Sequence, residues 1–171
     1  IASTDLLPSI RRDPGWLSRR GYEVIHRGRV VSPHAVSWSR QSLRKVRIRQ
    51  RPGRGNALGA VKFMFPNRHA VYLHDTPSKH LFDRSRRAYS HGCVRVDRPF
   101  DFAEALLAGE PSVSGSELRR WAGGARRWIE LEHHVPVHIA YFTLEAKPDG
   151  TLVPHDDLYG LDRRLARALG L

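Results

Sequence analysis

Hydrophobic and polar positions divide the chain into short segments of differing period. Residues 3–20, STDLLPSIRRDPGWLSRR, predict two helical pieces. Ser3, Thr4 or Asp5 is placed to cap the first, Pro14 fits the first turn of the second, and Gly21 ends it. YEVI at 22–25 predicts a short strand. Residues 26–45 mix Pro33, several serines and scattered arginines without a clear period, which predicts loop or a loosely packed subdomain. VRIRQ at 46–50 alternates and predicts a half-buried strand. RPGRGNALG at 51–59 is turn-rich, but neither the P-loop nor the dinucleotide pattern is present.

AVKFMFP at 60–66 and AVYLHD at 70–75 predict two strands joined by a turn around Asn67 and Arg68. Residues 76–89 are polar, basic and without period, which predicts a loop, and CVRV at 93–96 alternates again. PFDFAEALLAG at 99–109 predicts an amphipathic helix with Pro at its start and Gly at its end. Ser114 to Leu131 predicts a second helix weakened at Gly123 and Gly124. VPVHIAYFTLEA at 135–146 predicts a long alternating strand, KPDG a turn, TLVPHDDLYG a returning strand or extended arm, and DRRLARALGL a basic amphipathic tail helix. Helices and strands in this order suit a β-rich α+β domain better than an alternating βαβ fold.

The chain has 171 residues, enough for one domain with its own core. No apolar run is long enough to suggest a membrane span. The net charge of +12 predicts attraction to an anionic polymer without saying which. The chain begins at Ile1 without a signal-like segment, which fits mature processing or a fragment.

There is one cysteine, Cys93, in the run YSHGCVRVD at 89–97. A lone cysteine excludes an internal disulfide and any site of several thiolates. His91 lies two residues before it, and His74 closes the strand AVYLHD nineteen residues before it. A free thiol has a pKa of about 8.5, so a nearby imidazole is needed to take its proton or pair with the thiolate. The second imidazole nitrogen then needs an acceptor, for which a backbone carbonyl near Asp75 and the Asp75 carboxylate both serve. Gly92 permits a tight backbone before the nucleophile, and the amides of Gly92 and Cys93 can point at a developing oxyanion. A zinc site of His74, His91 and Cys93 fits no familiar ligand spacing, and a papain-like arrangement has the cysteine before its histidine.

HDTP at 74–77 followed by SHGCVRV at 90–96 resembles the signature of the L,D-transpeptidase catalytic domain, the YkuD-type domain: a histidine, about fifteen residues, then Ser or Thr, His, Gly, Cys. Here fifteen residues separate His74 from Ser90. The stretches IASTDLLPSIRRDPGWLSRRGY, GRGNALGAVKFMFPNRHAVYLHDTPSKHLFDR, RAYSHGCVRVDRPFDFAEALL and VPVHIAYFTLEAKPDGTLVPHDDLYGLD look like the large periplasmic members of that family in Gram-negative bacteria. Residues 26–50 match more loosely. The resemblance implies a mixed β-sheet or sandwich core with flanking helices, and an insertion at about 15–55 that caps the active site. It also implies that the chain is a single catalytic domain, a fragment lacking an upstream strand and further domains. One local departure is Asp97, where Asn is frequent.

Carried onto this chain, the resemblance implies Cys93 as nucleophile, His74 as general base and later acid, and His91 as a supporting residue. Gly92 and Cys93 would supply oxyanion amides, while Tyr72, Arg95, Ser90 and Asp75 would border the substrate. The implied reaction needs no metal or organic cofactor. Cys93 attacks a peptidoglycan tetrapeptide stem, D-Ala leaves, and the diamino-acid amine of a second stem resolves the thioester into a 3→3 cross-link. Carbapenem-type β-lactams would acylate the same thiol, and the implied location is the periplasm or cell envelope.

Two relatives of that reaction share the motif: an L,D-carboxypeptidase and an enzyme attaching protein to peptidoglycan. A basic binding module is the reading from another class, since +12 with Trp16, Trp38, Trp121 and Trp128 suits nucleic acid. No nucleic-acid fold signature accompanies those residues, and nucleic acid is not the expected partner.

Overall fold

The structure, a computed structural model, describes residues 2–53, 55–110 and 113–171, without the side chains of Ala2 and Ser3. Ser3 as a cap and Arg54 in the Gly-rich turn therefore lie outside the described residues. The architecture is α+β. It divides into two compact units, residues 1–134 and 135–171.

The first unit opens with a π-helical turn, Ala2–Leu6, that runs into α1, Leu7–Arg12, without a side-chain cap at Leu6. Pro14 leads into α2, Gly15–Arg19, and Gly21 leaves it with φ +71°. Three antiparallel strands follow: β1 (Tyr22–His26), β2 (Arg29–Val31) and β3 (Val46–Gln50), in the order β2-β1-β3. The expectation of loop or a loosely packed subdomain for 26–45 therefore holds except at the β1–β2 hairpin, which puts Arg29–Val31 in a strand. The β1–β2 hairpin closes through Arg27 and Gly28, at φ +50° and +78°, with His26 opposite Arg29. Positive φ at both central residues is the primed turn that matches strand twist.

This sheet and the two helices enclose the main core of Leu7, Ile10, Leu17, Val24 and Trp38. Ile10, Leu17 and Val24 have no exposed surface, and burial of each contributes about 1.5–3 kcal/mol. Trp38 belongs to the segment read as irregular, yet it is buried, and its indole N–H donates to the Pro33 carbonyl at 2.8 Å. On the other face of β1, Glu23 takes Arg49 at 2.5 Å and Arg51 at 2.7 Å.

The second sheet is mixed. β4 (Lys62–Phe63) pairs antiparallel with β5 (Leu73–His74), which pairs parallel with β6 (Val94–Arg95). The turn between β4 and β5 is built by Asn67, whose amide donates to the carbonyls of Phe65 and Val71 and whose oxygen accepts the amides of His69 and Val71. After β5 comes a 3-10 turn at Lys79–Asp83. α3, Pro99–Leu107, buries Ala103 and Leu107. α4, Gly115–Trp121, carries a reciprocal Ser114–Glu117 capping box and stops short of the expected Leu131, because Gly123 turns the chain at φ +80°.

In the second unit, β7 (Leu144–Ala146) and β8 (Leu152–Pro154) form a hairpin across the expected KPDG turn. The strand expected over 135–146 is confined to its last three residues. Val135, Val137 and Ile139 alternate, but Pro136 lacks an N–H, and none of residues 135–143 is in a strand. α5, Leu161–Leu169, is the expected tail helix, and the Asp157 carboxylate accepts the amides of Leu161 and Asp162 at its start.

Candidate active site

The register of β5 against β6 gathers the predicted chemistry. Leu73 lies opposite Val94 and His74 opposite Arg95, so Tyr72 and Cys93 occupy the next position back along the pair. Side chains alternate in a strand, which puts Tyr72, His74, Cys93 and Arg95 on one face. The ladder is short: Val94 N–H donates to the Tyr72 carbonyl at 3.1 Å and Val96 N–H to the His74 carbonyl at 2.9 Å.

His74 is 4% exposed. Its Nδ1 bonds the carbonyl oxygen of Asp75. A carbonyl only accepts, so Nδ1 carries the proton and Nε2 is left with a free lone pair. Burial pushes the His74 pKa below its ordinary value; the Asp75 carbonyl partly opposes this, and the Arg95 charge adds to the lowering. The imidazole is thereby kept neutral near pH 7, the state a base requires.

The Asp75 carboxylate has other partners. It accepts the amides of Ala60 at 2.8 Å and Thr76 at 2.7 Å, and pairs with Lys79 at 3.0 Å. Burial raises its pKa, but these donors together outweigh burial and hold it below the ordinary carboxylate range. Gly59 makes room for it. A Cβ there would stand 2.2 Å from Asp75 Oδ2, and Gly59 has φ +62°.

Cys93 is half-buried and unpaired by any disulfide. Its Sγ lies 4.0 Å from the Ala70 carbonyl, with Tyr72 beside it across the strand pair. Burial first, then the charge of Cys93, push the Tyr72 pKa up, so this phenol stays protonated. The Tyr72 ring meets the His74 ring edge to face, with centroids 5.8 Å apart, and Lys62 Nζ lies 5.3 Å from the Tyr72 centroid. Among the described residues no hydrogen bond joins Cys93 to His74.

The remaining predicted residues are placed as follows. Ser90 Oγ accepts the Gly92 amide at 3.2 Å, which engages one of the two amides expected to face an oxyanion. Gly92 has φ +139°, and a Cβ there would press on Val71 at 3.2 Å. His91 is exposed, with Nε2 3.5 Å from the Asp5 carboxylate. Arg95 donates from Nη1 to the Tyr89 carbonyl at 3.1 Å. Its Nε is buried and, among the described residues, has no acceptor. The sequence reading did not single out Gly59, Ala60, Ala70 or Lys79. Only the Asp-to-Lys spacing of four at 75 and 79 offered a signal, and outside a helix that spacing carries little weight.

A buried neutral imidazole, a phenol and a half-buried thiol on one sheet face are groups that nucleophilic cysteine chemistry uses. Comparison with known proteins agrees in class. Residues 1–114 match the family described as YkuD, L,D-transpeptidase catalytic domain, and the chain belongs to that family. It is also 34% identical over 167 residues, 96% of its length, to a Haemophilus influenzae protein named "Putative L,D-transpeptidase". The chain spans about a third of the length of that relative, 34%.

Proposed function

We propose that this chain catalyses acyl transfer between peptidoglycan stems through a thioester on Cys93. The observation that carries the reading is the β5–β6 register, which sets Cys93 beside Tyr72 and one step from His74 on a common face.

In the first half-reaction the Cys93 proton passes to His74 Nε2 and sulfur attacks the carbonyl of the third stem residue. Catalytic hydrogen bonds are often long before substrate binds and tighten in the complex, so the open His74–Cys93 pair is compatible with this role. Negative charge then develops on the carbonyl oxygen. The Cys93 amide is a donor for it, and Gly92 becomes a second when it releases Ser90. His74 returns the proton to the departing D-Ala nitrogen as the carbon–nitrogen bond breaks, which leaves the thioester.

In the second half, the side-chain amine of a diamino acid on another stem attacks the thioester carbon. His74 takes the amine proton, the carbon–sulfur bond breaks, and the proton returns to Cys93. The product is a 3→3 cross-link. Arg95 Nε, buried and without an acceptor among the described residues, supports a role in taking a stem carboxylate, since a buried unmet donor otherwise costs about 1–3 kcal/mol. The net charge of +12 favours attraction to an anionic wall.

The test is incubation with a synthetic tetrapeptide stem and a diamino-acid acceptor stem, followed by mass spectrometry. Release of D-Ala with a cross-linked dimer is the expected outcome. Release of D-Ala with tripeptide alone would replace the acceptor amine by water and make the enzyme an L,D-carboxypeptidase.

A further inference from the structure

The ends of β5 and β6 are joined by one side chain outside the sheet. Lys79 Nζ lies 3.0 Å from Asp75 Oδ1 and 3.3 Å from the Val96 carbonyl, and it also donates to the Asp97 carbonyl. An ammonium has three N–H donors, and these are three acceptors. One acceptor belongs to the residue that follows β5. The other two belong to the residues that follow β6. The Phe82 ring flanks the ammonium, 5.8 Å from its centroid.

A two-residue parallel ladder is a weak constraint by itself. A slip of one residue would send Cys93 and Arg95 to the opposite face from Tyr72 and His74. Lys79 grips the chain immediately beyond both strands, where such a slip begins. Its effect also reaches the imidazole. Asp75 offers its carbonyl to His74 Nδ1, while its carboxylate is held by Ala60, Thr76 and Lys79. An isolated surface ion pair contributes little, and the Lys79 side chain is 45% exposed. Here, though, two of the three acceptors are backbone carbonyls and the third is a carboxylate only 13% exposed, so geometry matters more than charge.

We propose that Lys79 is a positioning residue of the acyl-transfer site, clamping the strand ends that carry His74 and Cys93 and fixing the carbonyl that orients the His74 ring. This rests on the reading of Cys93 as nucleophile and His74 as its base. The Asp97 side chain plays no part in the clamp, which uses only its carbonyl.

The test is the rate of Cys93 alkylation by iodoacetamide across pH, read by intact mass, on the full chain and on Lys79→Met and Lys79→Arg. The single cysteine makes the site of reaction unambiguous. The parent is expected to react faster than a free-cysteine peptide, with a rate that falls at low pH as His74 protonates. Misplacement of reacting groups by about 1 Å can cost on the order of 100-fold, so Lys79→Met should react about 10- to 100-fold more slowly. Its acidic limb should move to lower pH, because the Asp75 carbonyl that raises the His74 pKa is no longer held. Lys79→Arg, which keeps charge and donors, should restore the limb and most of the rate.

A Lys79→Met protein with the parent's rate and limb overturns the clamp. So does one whose reactive fraction falls while the rate constant and limb of the remainder stay put, since that is loss of fold alone. A parent that reacts no faster than the peptide overturns the nucleophile reading itself, and the clamp with it.

Discussion

The His74 imidazole is oriented by the backbone carbonyl of Asp75, while the Asp75 carboxylate is engaged elsewhere. The order of groups differs from a triad in which a carboxylate faces the base. A neutral acceptor holds the tautomer, and burial keeps the imidazole uncharged although the nearby Asp75 charge partly opposes it.

The first prediction concerns pH. Burial sets the His74 pKa below the ordinary 6.5, so Cys93 acylation should hold its rate as pH falls through 6.5 and decline only at the lowered value. Stability follows the same sign. Above the unfolded value the neutral ring costs nothing; as pH falls below it, protonation favours the unfolded chain, and stability is lost down through the folded value. A rate–pH profile beside urea melts at several pH values checks both. His74→Asn should remove the acidic limb and lower the rate by roughly 10²- to 10⁴-fold.

Tyr72 stands beside Cys93 across the β5–β6 pair, and in the proposed reaction its phenol donates to the sulfur as that gains charge. A hydrogen bond to a charged group is worth about 1.5–3 kcal/mol, so Tyr72→Phe should slow acylation about 10- to 100-fold. Melting should barely change, since the ring is retained against His74. Paired rate and thermal-melt measurements separate the two effects.

Gly59 leaves space for the Asp75 carboxylate. Gly59→Ala would put a methyl 2.2 Å from Asp75 Oδ2 at a backbone φ of +62°. The carboxylate must then move, and its bond to the Ala60 amide is lost. The expected result is a loss of about 1–3 kcal/mol in denaturant melts, with a lower acylation rate in the folded fraction.

Some of this was legible from residue order and some was not. The strands expected at 60–66, 70–75 and 93–96 are present but shorter, Lys62–Phe63, Leu73–His74 and Val94–Arg95, and the helix expected at 99–109 runs over Pro99–Leu107; these follow from alternation and from Pro and Gly punctuation. Within 26–45 the hairpin and the buried Trp38 are not legible, because the turn is Arg27-Gly28, without the Asn-Gly or Asp-Gly signal of a primed turn, and Trp38 stands among serines. At 135–143 the opposite error occurred: alternation marks a face but does not supply a partner strand. Asp75 was placed at the site, but whether its carbonyl or its carboxylate faces His74 depends on a local turn that no period encodes. Lys79 was missed because a clamp across two strand ends depends on tertiary structure.

Arg27 tests the turn directly. A non-glycine residue at φ +50° pays about 1–2 kcal/mol, and Asn tolerates that region better. Arg27→Asn should raise the melting temperature by a few degrees without changing acylation, as measured by calorimetry beside the iodoacetamide rate.

The central claim is that Cys93 carries the acyl group. Intact-mass spectrometry of the protein quenched during turnover of a tetrapeptide stem, beside Cys93→Ala, tests it most directly. A single adduct with the mass of the stem less D-Ala, present on the parent and absent from the variant, is the predicted result. D-Ala release at the parent's rate from Cys93→Ala, or an adduct that survives the substitution, would contradict it.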